Sequence, residues 1–384
     1  MESAPRVFDL IGVVDDAGFE EVRALEGKPI RVEQWNHEAS LDAVRHYSLG
    51  LGDDNPLFTD PEYGQSTPYG DIIAPPTFPF TAFDGAVGAG LPGVQPIYAG
   101  TEWTFHRRIH RNSRIAARSV FGPVKRTTGQ HAQELVLQSA ITAYTDSDGL
   151  PLAEATAYTF RIPRRSASGG LSYGEREEQK YTADELDAIM MEAVSEFRRG
   201  SKRIDDVSEG EAIPAIVKGP IGRIDMTAYY AGLPGSPGYK SVELAWKYRH
   251  WARTEPNLLP NNYDPSYFSE RVLPSIGHQD PAAAHELGMP NAYNNGPQRV
   301  GWFAHCISNW MGDGAFLRML SVRLQRPEIF GDVIRIGGRV SRIDRGILTR
   351  YFVELEARNQ LGETTATGSA EIVDDNYGTT PTDG

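Results

Sequence analysis

At 384 residues, with 40% hydrophobic and 23% charged residues, the chain has room for two ordinary domains, each with a core of its own. A net charge of −13 opposes a phosphate-backbone partner, which demands a basic surface, so nucleic acid is not expected. The one cysteine, Cys306, leaves no disulfide framework and no Cys-rich metal site. It suits a reducing cytoplasm, and neither a membrane-length apolar run nor a charged-then-apolar leader in "MESAPRVFDL" argues otherwise.

In chain order, "DAVRHYSLGLGD" (42–53) leads into the turn-rich "GDDNPLFTDPEYGQSTPYGDIIAPP" (52–76), and then into an apolar, helix-compatible stretch, "TFPFTAFDGAVGAG" (77–90). Four segments with partial alternation follow at 101–110, 113–126, 132–146 and 152–163, each bounded by turn residues and predicted as strands. The polar, Gly/Ser-rich stretch 164–179 reads as a linker, and 182–200 as a surface helix capped by Thr182. The second half repeats the order. "DMTAYYAGLPGS" (225–236) precedes "PSIGHQDPAAAHELGMPNAYNNGP" (274–297), a helix-compatible "VGWFAHCISNWMG" (300–312), and strands predicted over 317–327, 332–343, 348–359 and 364–373.

This order is an internal repeat. Asp42 and Tyr47 match Asp225 and Tyr230 at an offset of 183 residues. Asp60-Pro61 and Pro76 match Asp280-Pro281 and Gly296 at an offset of 220, so the second copy carries an insertion of 37 residues beginning near Pro237. Each half reads as a helix followed by an antiparallel sheet, an α+β unit in which a curved sheet wraps a helix and buries both apolar faces. The expected division is an N-terminal unit over 1–165, a linker and surface helix over 166–205, and a C-terminal unit over 206–384 with its insertion at 237–273.

"GDDNPLFTDPEY" with "IIAPPTF", and "HQDPAAAHELGMPNAYNNG" with "RPEIFGD", resemble the two halves of MaoC-like double-hotdog acyl dehydratases and R-specific enoyl-CoA hydratases. The resemblance implies two hotdog domains with sheets joined edge to edge, and reversible addition of water to an enoyl thioester carried on CoA or an acyl carrier protein. It implies no metal and no redox cofactor. In the family, an Asp/His pair activates water, and a backbone N–H at the start of the central helix stabilises the enolate-like oxygen.

By that pattern the two copies have diverged. The first keeps Asp53, Asn55 and Pro56, but Phe58 stands at the histidine position, and Pro76, which has no N–H, at the donor position. It is expected to be catalytically dead, with Phe58, Asp53 and Asn55 left to line an acyl tunnel; Asp53 is equally readable as a turn or helix cap. The second copy has His278 as general acid/base and Gly296 as oxyanion donor, with Asn295 and Ser236 beside the substrate. Ser236 occupies the family's aspartate position, so either the insertion supplies a substitute carboxylate from among Glu243, Asp264 and Glu270, Asp264 first, or a serine-bound water takes its place, or the chain is no ordinary hydratase.

Asp280 is expected to cap a helix, and His305 and Cys306 to pack in the core. "HRRIHR" (106–111) is expected to be a solvated strand, although Arg107, Arg108 and Arg111 could meet a CoA phosphate. The aromatic-rich insertion, with a helix over 242–253, is expected to cover the His278 pocket; a surface decoration or dimer contact remains the alternative. The leading activity is an acyl-thioester dehydratase or hydratase acting on a bulky acyl group. A non-catalytic acyl-binding subunit needing a partner chain, or an isomerase on a natural-product thioester, stands as the alternative. A homodimer of double units is compatible with either.

Overall fold

The computed structural model describes residues 12–30, 32, 34–91, 93–128, 134–163, 173, 175–233 and 274–378, with scattered positions between 241 and 255. The first half contributes α1 (Asp16–Arg23), β1 (Pro29–Ile30), α2 (Leu41–Gly50), α3 (Pro56–Thr59), α4 (Pro61–Gln65), β2 (Val94–Phe105), β3 (Ala116–Phe121), β4 (Lys125–Thr128), β5 (Glu134–Thr145) and β6 (Pro151–Pro163). The second half follows α5 (Ala183–Val194) with β7 (Ala212–Lys218), α6 (Arg223–Ala231), α7 (Pro281–Glu286), α8 (Gly296–Met311), β8 (Phe316–Leu324), β9 (Ile334–Asp344), β10 (Thr349–Arg358) and β11 (Thr364–Asp374).

All eight predicted segments contain strands, the one at 113–126 as the two short strands β3 and β4; in β5, β6 and β10 buried residues recur with the period of two that a half-buried strand requires. The strands form one 11-stranded antiparallel sheet ordered β1-β3-β5-β6-β2-β8-β11-β10-β9-β7, with β4 on β5. The halves meet where β2 pairs with β8, from Gly100 opposite Arg323 to Thr104 opposite Met319, so two edges that would otherwise attract foreign strands are sealed against each other. Thr182 caps α5 through a reciprocal bond with Glu185, as the sequence predicts. Asp280 caps α7, accepting from the Ala283 N–H at 2.9 Å, and Asp60 likewise caps α4.

Two expectations need correction. The stretch 77–90 is no central helix: only a 3-10 turn at Phe78–Thr81 forms, and the chain then runs irregularly to β2. Pro76 and Pro79 withhold backbone N–H groups there, and Gly85 and Gly90 take left-handed φ values of 70° and 62°. Aromatic packing occupies part of this half's interior. Trp103 stacks on Phe105 and Tyr144 at centroid distances of 5.2 and 5.5 Å and meets Phe80 edge-on at 4.9 Å. The segment 106–111 is likewise not a strand, since β2 ends at Phe105 and only an isolated bridge from His110 to Ile73 follows.

The second half does have its central helix. Every residue of α8 from Pro297 to Met311 is buried, against both β2 and the second half's own strands. The helices preceding the two loops, α2 and α6, cross at small residues: a Cβ on Gly50 would lie 2.7 Å from the Ala228 carbonyl oxygen, and one on Gly232 2.8 Å from that of His46.

The seam between the halves depends on Gly100, whose φ is 137° beside a register shift in the β2–β6 pairing. A Cβ at that position would collide with the Val322 carbonyl oxygen of β8. Gly100→Ala is therefore expected to cost about 2–4 kcal/mol, read as a lower midpoint in urea denaturation, whereas Gly149→Ala, in an open surface turn, is expected to cost much less.

Candidate active site

His278 ends a 3-10 turn (Pro274–His278) directly before the Asp280-capped α7. Its Nδ1 lies 2.9 Å from the carbonyl oxygen of Tyr293, whose ring meets the imidazole edge-on at 4.4 Å. A carbonyl can only accept, so Nδ1 carries the proton and Nε2 is left as the basic nitrogen. Burial pushes the imidazole pKa down to about 4, against the smaller upward pull of the Tyr293 and Asn294 carbonyls.

Two residues beyond Asn294, Gly296 opens α8. Asn295 takes the cap position without a side-chain cap bond, and Pro297 supplies no N–H, which leaves the Gly296 N–H as the foremost donor at the positive end of a sixteen-residue buried helix. The Asn295 Nδ2 donates to Tyr230 Oη at 3.2 Å, and its buried Oδ1 has no partner among the described residues. Tyr230 also lies beside the imidazole, at 6.3 Å between centroids. The glycine at 296 has a structural reason as well: a Cβ there would come within 2.7 Å of the Tyr98 ring carbons. Tyr98 belongs to β2, so the first half packs directly on the start of α8. Its hydroxyl meets Thr101 Oγ1 at 2.6 Å and donates to the Asp84 carbonyl at 3.2 Å. Burial raises the Asp84 carboxyl to about 6. Sequence reading singled out neither Tyr98 nor Asp84, because neither stands in a repeated motif.

Ser236, Asp264 and Glu270 lie outside the described residues. Glu243 is described: it is exposed and pairs with Lys247 one helical turn on, at 2.7 Å. That spacing and the bond from Glu255 N–H to the Trp251 carbonyl fit the helix expected over 242–253.

The first-copy residues gather at the other end of α8. Phe58, Asn55 and Pro76 line a cleft together with Ser308, Met311 and Phe316, enclosing about 570 Å³ with its mouth included. Asp53 is buried and caps locally, its Oδ1 accepting from the Asn55 N–H at 3.1 Å. It also lies 3.5 Å from His305 Nε2. This contact belongs to a buried polar cluster that the sequence did not reveal. Lys218 Nζ donates to the Leu51 and Gly52 carbonyls at 3.1 and 2.9 Å and to His305 Nδ1 at 2.9 Å. An ammonium has no acceptor, so His305 must hold its proton on Nε2, and it donates to Glu196 at 2.8 Å. Asn309 completes the cluster on Glu196. His305 is thus core, as expected, but it joins loop 51–53 of the first half to β7 and α8 of the second. Cys306 is buried beside it, its Sγ 3.3 Å from the Ile336 carbonyl.

The three arginines considered for a CoA phosphate are already paired, Arg107 with Asp146, Arg108 with Asp375 and Arg111 with Asp71, at 2.9, 2.7 and 3.1 Å. That role is not supported. Among the described residues no group of three or more His, Cys, Asp or Glu side chains could hold a metal ion, and no helix is long and apolar enough to cross a membrane.

Comparison with known proteins agrees with this architecture. Residues 25–155 match the model of the FAS1-like dehydratase domain region. A UPF0336 protein of Streptomyces avermitilis is 28% identical over 100 residues, which are 24% of this chain and 67% of that protein. A solved MaoC-like dehydratase superposes with a TM-score of 0.61 at 17% identity, over 91% of this chain and 99% of its own. A Mycobacterium tuberculosis protein described as a double hotdog superposes at 0.52 and 10% identity, over 94% and 99%. The chain has a double-hotdog fold. Within that fold, the sealed β2–β8 seam is the contact between its two hotdog units, and α8 is the central helix of the second.

The polar cluster predicts acid sensitivity. Although burial pushes the Glu196 carboxyl up, the bond from His305 and the nearby charges outweigh it and hold its pKa below the ordinary value of 4.5. A carboxyl whose folded pKa is depressed contributes stability that is complete above its unfolded value and is lost as pH falls through the folded one. Melting temperature is therefore expected to fall as pH drops below about 4.5, and Glu196→Gln to be less stable at pH 7 with a flatter acid limb.

Proposed function

We propose that the protein is an acyl-thioester hydratase or dehydratase whose chemistry is carried by His278 and Gly296. The observation that supports this best is the Nδ1–H to Tyr293 carbonyl bond of 2.9 Å, which orients the imidazole beside the uncapped start of α8. In hydration, Nε2 takes a proton from water as its oxygen bonds to C3 of the enoyl thioester. The electron pair moves onto the thioester oxygen, which the Gly296 N–H stabilises. The imidazolium then returns a proton to C2, so one water is added and no other reactant is needed; dehydration is the reverse. A carbonyl rather than a carboxylate orients His278 among the described residues, and Asp264 remains our first choice for a carboxylate contributed by the insertion. The cover expected of the insertion lies almost wholly outside the described residues; CoA is our carrier, with an acyl carrier protein as the other arm of the assay. The exposed Met190, Met191 and Val194 on α5 are the face we assign to a homodimer contact.

Purified chain incubated with a panel of R-3-hydroxyacyl-CoA and acyl-carrier-protein thioesters, with products followed by mass spectrometry, is expected to form enoyl thioesters. His278→Ala is expected to lower kcat about 10²–10⁴-fold at an unchanged melting temperature, and Phe58→His to restore nothing to it, since Pro76 still offers no donor. Wild-type turnover in the His278→Ala protein would defeat the proposal, and failure of every thioester would favour an acyl-binding subunit.

The pH profile carries a separate expectation. With its pKa near 4, His278 stays neutral and basic throughout the range above, so kcat/KM for hydration should be flat between about pH 5 and 8 and fall only as pH approaches 4. An acid limb centred near 6.5 would mean that the imidazole is solvated as an ordinary histidine.

A further inference from the structure

Residues 293–296 join the imidazole to the start of α8. The Tyr293 carbonyl accepts from His278 Nδ1, the Asn294 carbonyl pulls on the same ring, and Gly296 follows two residues on. This short run is pinned from one side. Tyr293 bridges to Ile329, and the Asn294 N–H donates to the Glu328 carbonyl at 3.1 Å. The side chains add a second bond, Asn294 Nδ2 donating to Glu328 Oε2 at 2.6 Å. The other carboxylate oxygen, Oε1, accepts from Arg299 of α8 at 2.8 Å and from Thr365 of β11 at 2.6 Å. All four side chains are buried, Glu328 to 1% exposure.

The first copy shows that the backbone pairing forms without these side chains. There Ile73 bridges to His110, and the Ala74 N–H donates to the Ile109 carbonyl at 2.8 Å. Leu152 stands where Thr365 does, its carbonyl accepting from His106 and Arg107 as that of Thr365 accepts from Gln325 and Arg326. By the offset of the repeat, Pro79 stands at the place of Arg299. Asn294, Glu328, Arg299 and Thr365 thus correspond to Ala74, Ile109, Pro79 and Leu152. Burying a carboxylate is costly unless every lone pair is well used, and apolar residues fill the same places in the other copy. The polar network occurs only in the copy that has an imidazole to hold.

We propose that Glu328 is a positioning residue for the reaction at His278, acting through Asn294. Its two oxygens accept three side-chain bonds at once, from an amide, a guanidinium and a hydroxyl. Fixed in this way to α8 and β11, the carboxylate clamps Asn294. The Tyr293 carbonyl then keeps the proton on His278 Nδ1, and the Gly296 N–H keeps its aim. Buried as they are, Glu328 and Asn294 act behind the turn and not on the reacting atoms. The assignment rests on the hydratase reading of His278.

Asn294→Ala in the full chain cuts the link and leaves the bonds of Glu328 to Arg299 and Thr365 in place. On whichever thioester the protein turns over, kcat is expected to fall roughly ten- to a hundredfold, with KM changed by less than about twofold. Asn294→Asp sets two carboxylates face to face and should fall at least as far. Adding Glu328→Gln to it should restore most of kcat, since a donor and an acceptor meet again with their roles reversed. A second readout needs no substrate. Nitrogen NMR of isotope-labelled histidine, with His278 assigned by its loss in His278→Ala, should show one Nδ1–H tautomer in the natural chain and a mixture in Asn294→Ala. If Asn294→Ala does not fold, Asn294→Ser, too short to reach Glu328, gives the same two readings. An unchanged tautomer, an unchanged kcat, or no recovery in the folded double variant would overturn the proposal. So would a lower melting temperature as the sole effect, which would make the network structural. A natural chain that turns over no thioester would end the hydratase reading, while the tautomer measurement would still decide whether Glu328 holds the imidazole.

Discussion

The burial of α8 on every side constrains the rest of the molecule. On a helix enclosed by strands each polar side chain left without a partner costs about 1–3 kcal/mol, and the charged and imidazole groups of α8 find theirs. Arg299 accordingly meets Glu328 at 2.8 Å and the Thr365 carbonyl at 3.0 Å. His305 and Asn309 draw Glu196, Lys218 and loop 51–53 inward. The helix cannot be wrapped by the second half alone, so β2 of the first half completes the enclosure, and the sheet runs without a break across the seam. The start of the helix, its middle and its end therefore serve three different ends: a backbone donor, a polar lock between halves, and the wall of an apolar cleft.

The first half shows what the fold becomes without such a helix. Its strands keep their order and curvature, yet the stretch that should fill them is punctuated by proline and by glycines in left-handed conformations. Large aromatic side chains provide packing there instead, which requires no backbone ladder and leaves no helix terminus to act as a donor. The missing helix and the absence of a histidine thus go together: Pro76 offers no N–H where Gly296 stands in the second half, and position 58 holds phenylalanine where 278 holds histidine.

The strands were legible because each carries its burial pattern within ten or so contiguous residues, and the repeat was legible because Asp42, Tyr47, Asp60 and Pro76 recur at constant offsets. The stretch 77–90 has the apolar content of a helix, but Pro79 and the glycines that follow break it. The cluster around His305 was invisible for a different reason. Its members at 53, 196, 218 and 305 are spread over four elements, and nothing in the local sequence of any one of them announces the others. That position 58 holds phenylalanine where the repeat has histidine is legible in the sequence, but only the placement of Phe58 beside Ser308 and Met311 puts its pocket at the far end of α8 from Gly296. The role expected of Gly296 was half legible: the N–H followed from its place before a helix, whereas the Tyr98 ring that forbids any side chain there arrives from another domain.

The sealed β2–β8 seam has a consequence for how such a chain can change over generations. When two identical subunits meet across a symmetric seam, every substitution appears on both sides at once, and a residue harmful in one pocket cannot be kept for its benefit in the other. Joining the halves covalently lifts that coupling. Glycine at 296 and proline at 76 can then coexist, as can histidine at 278 and phenylalanine at 58, each tuned to its own pocket while the shared sheet holds the stoichiometry at one to one. Asymmetry of this kind is open to two units once they share one chain.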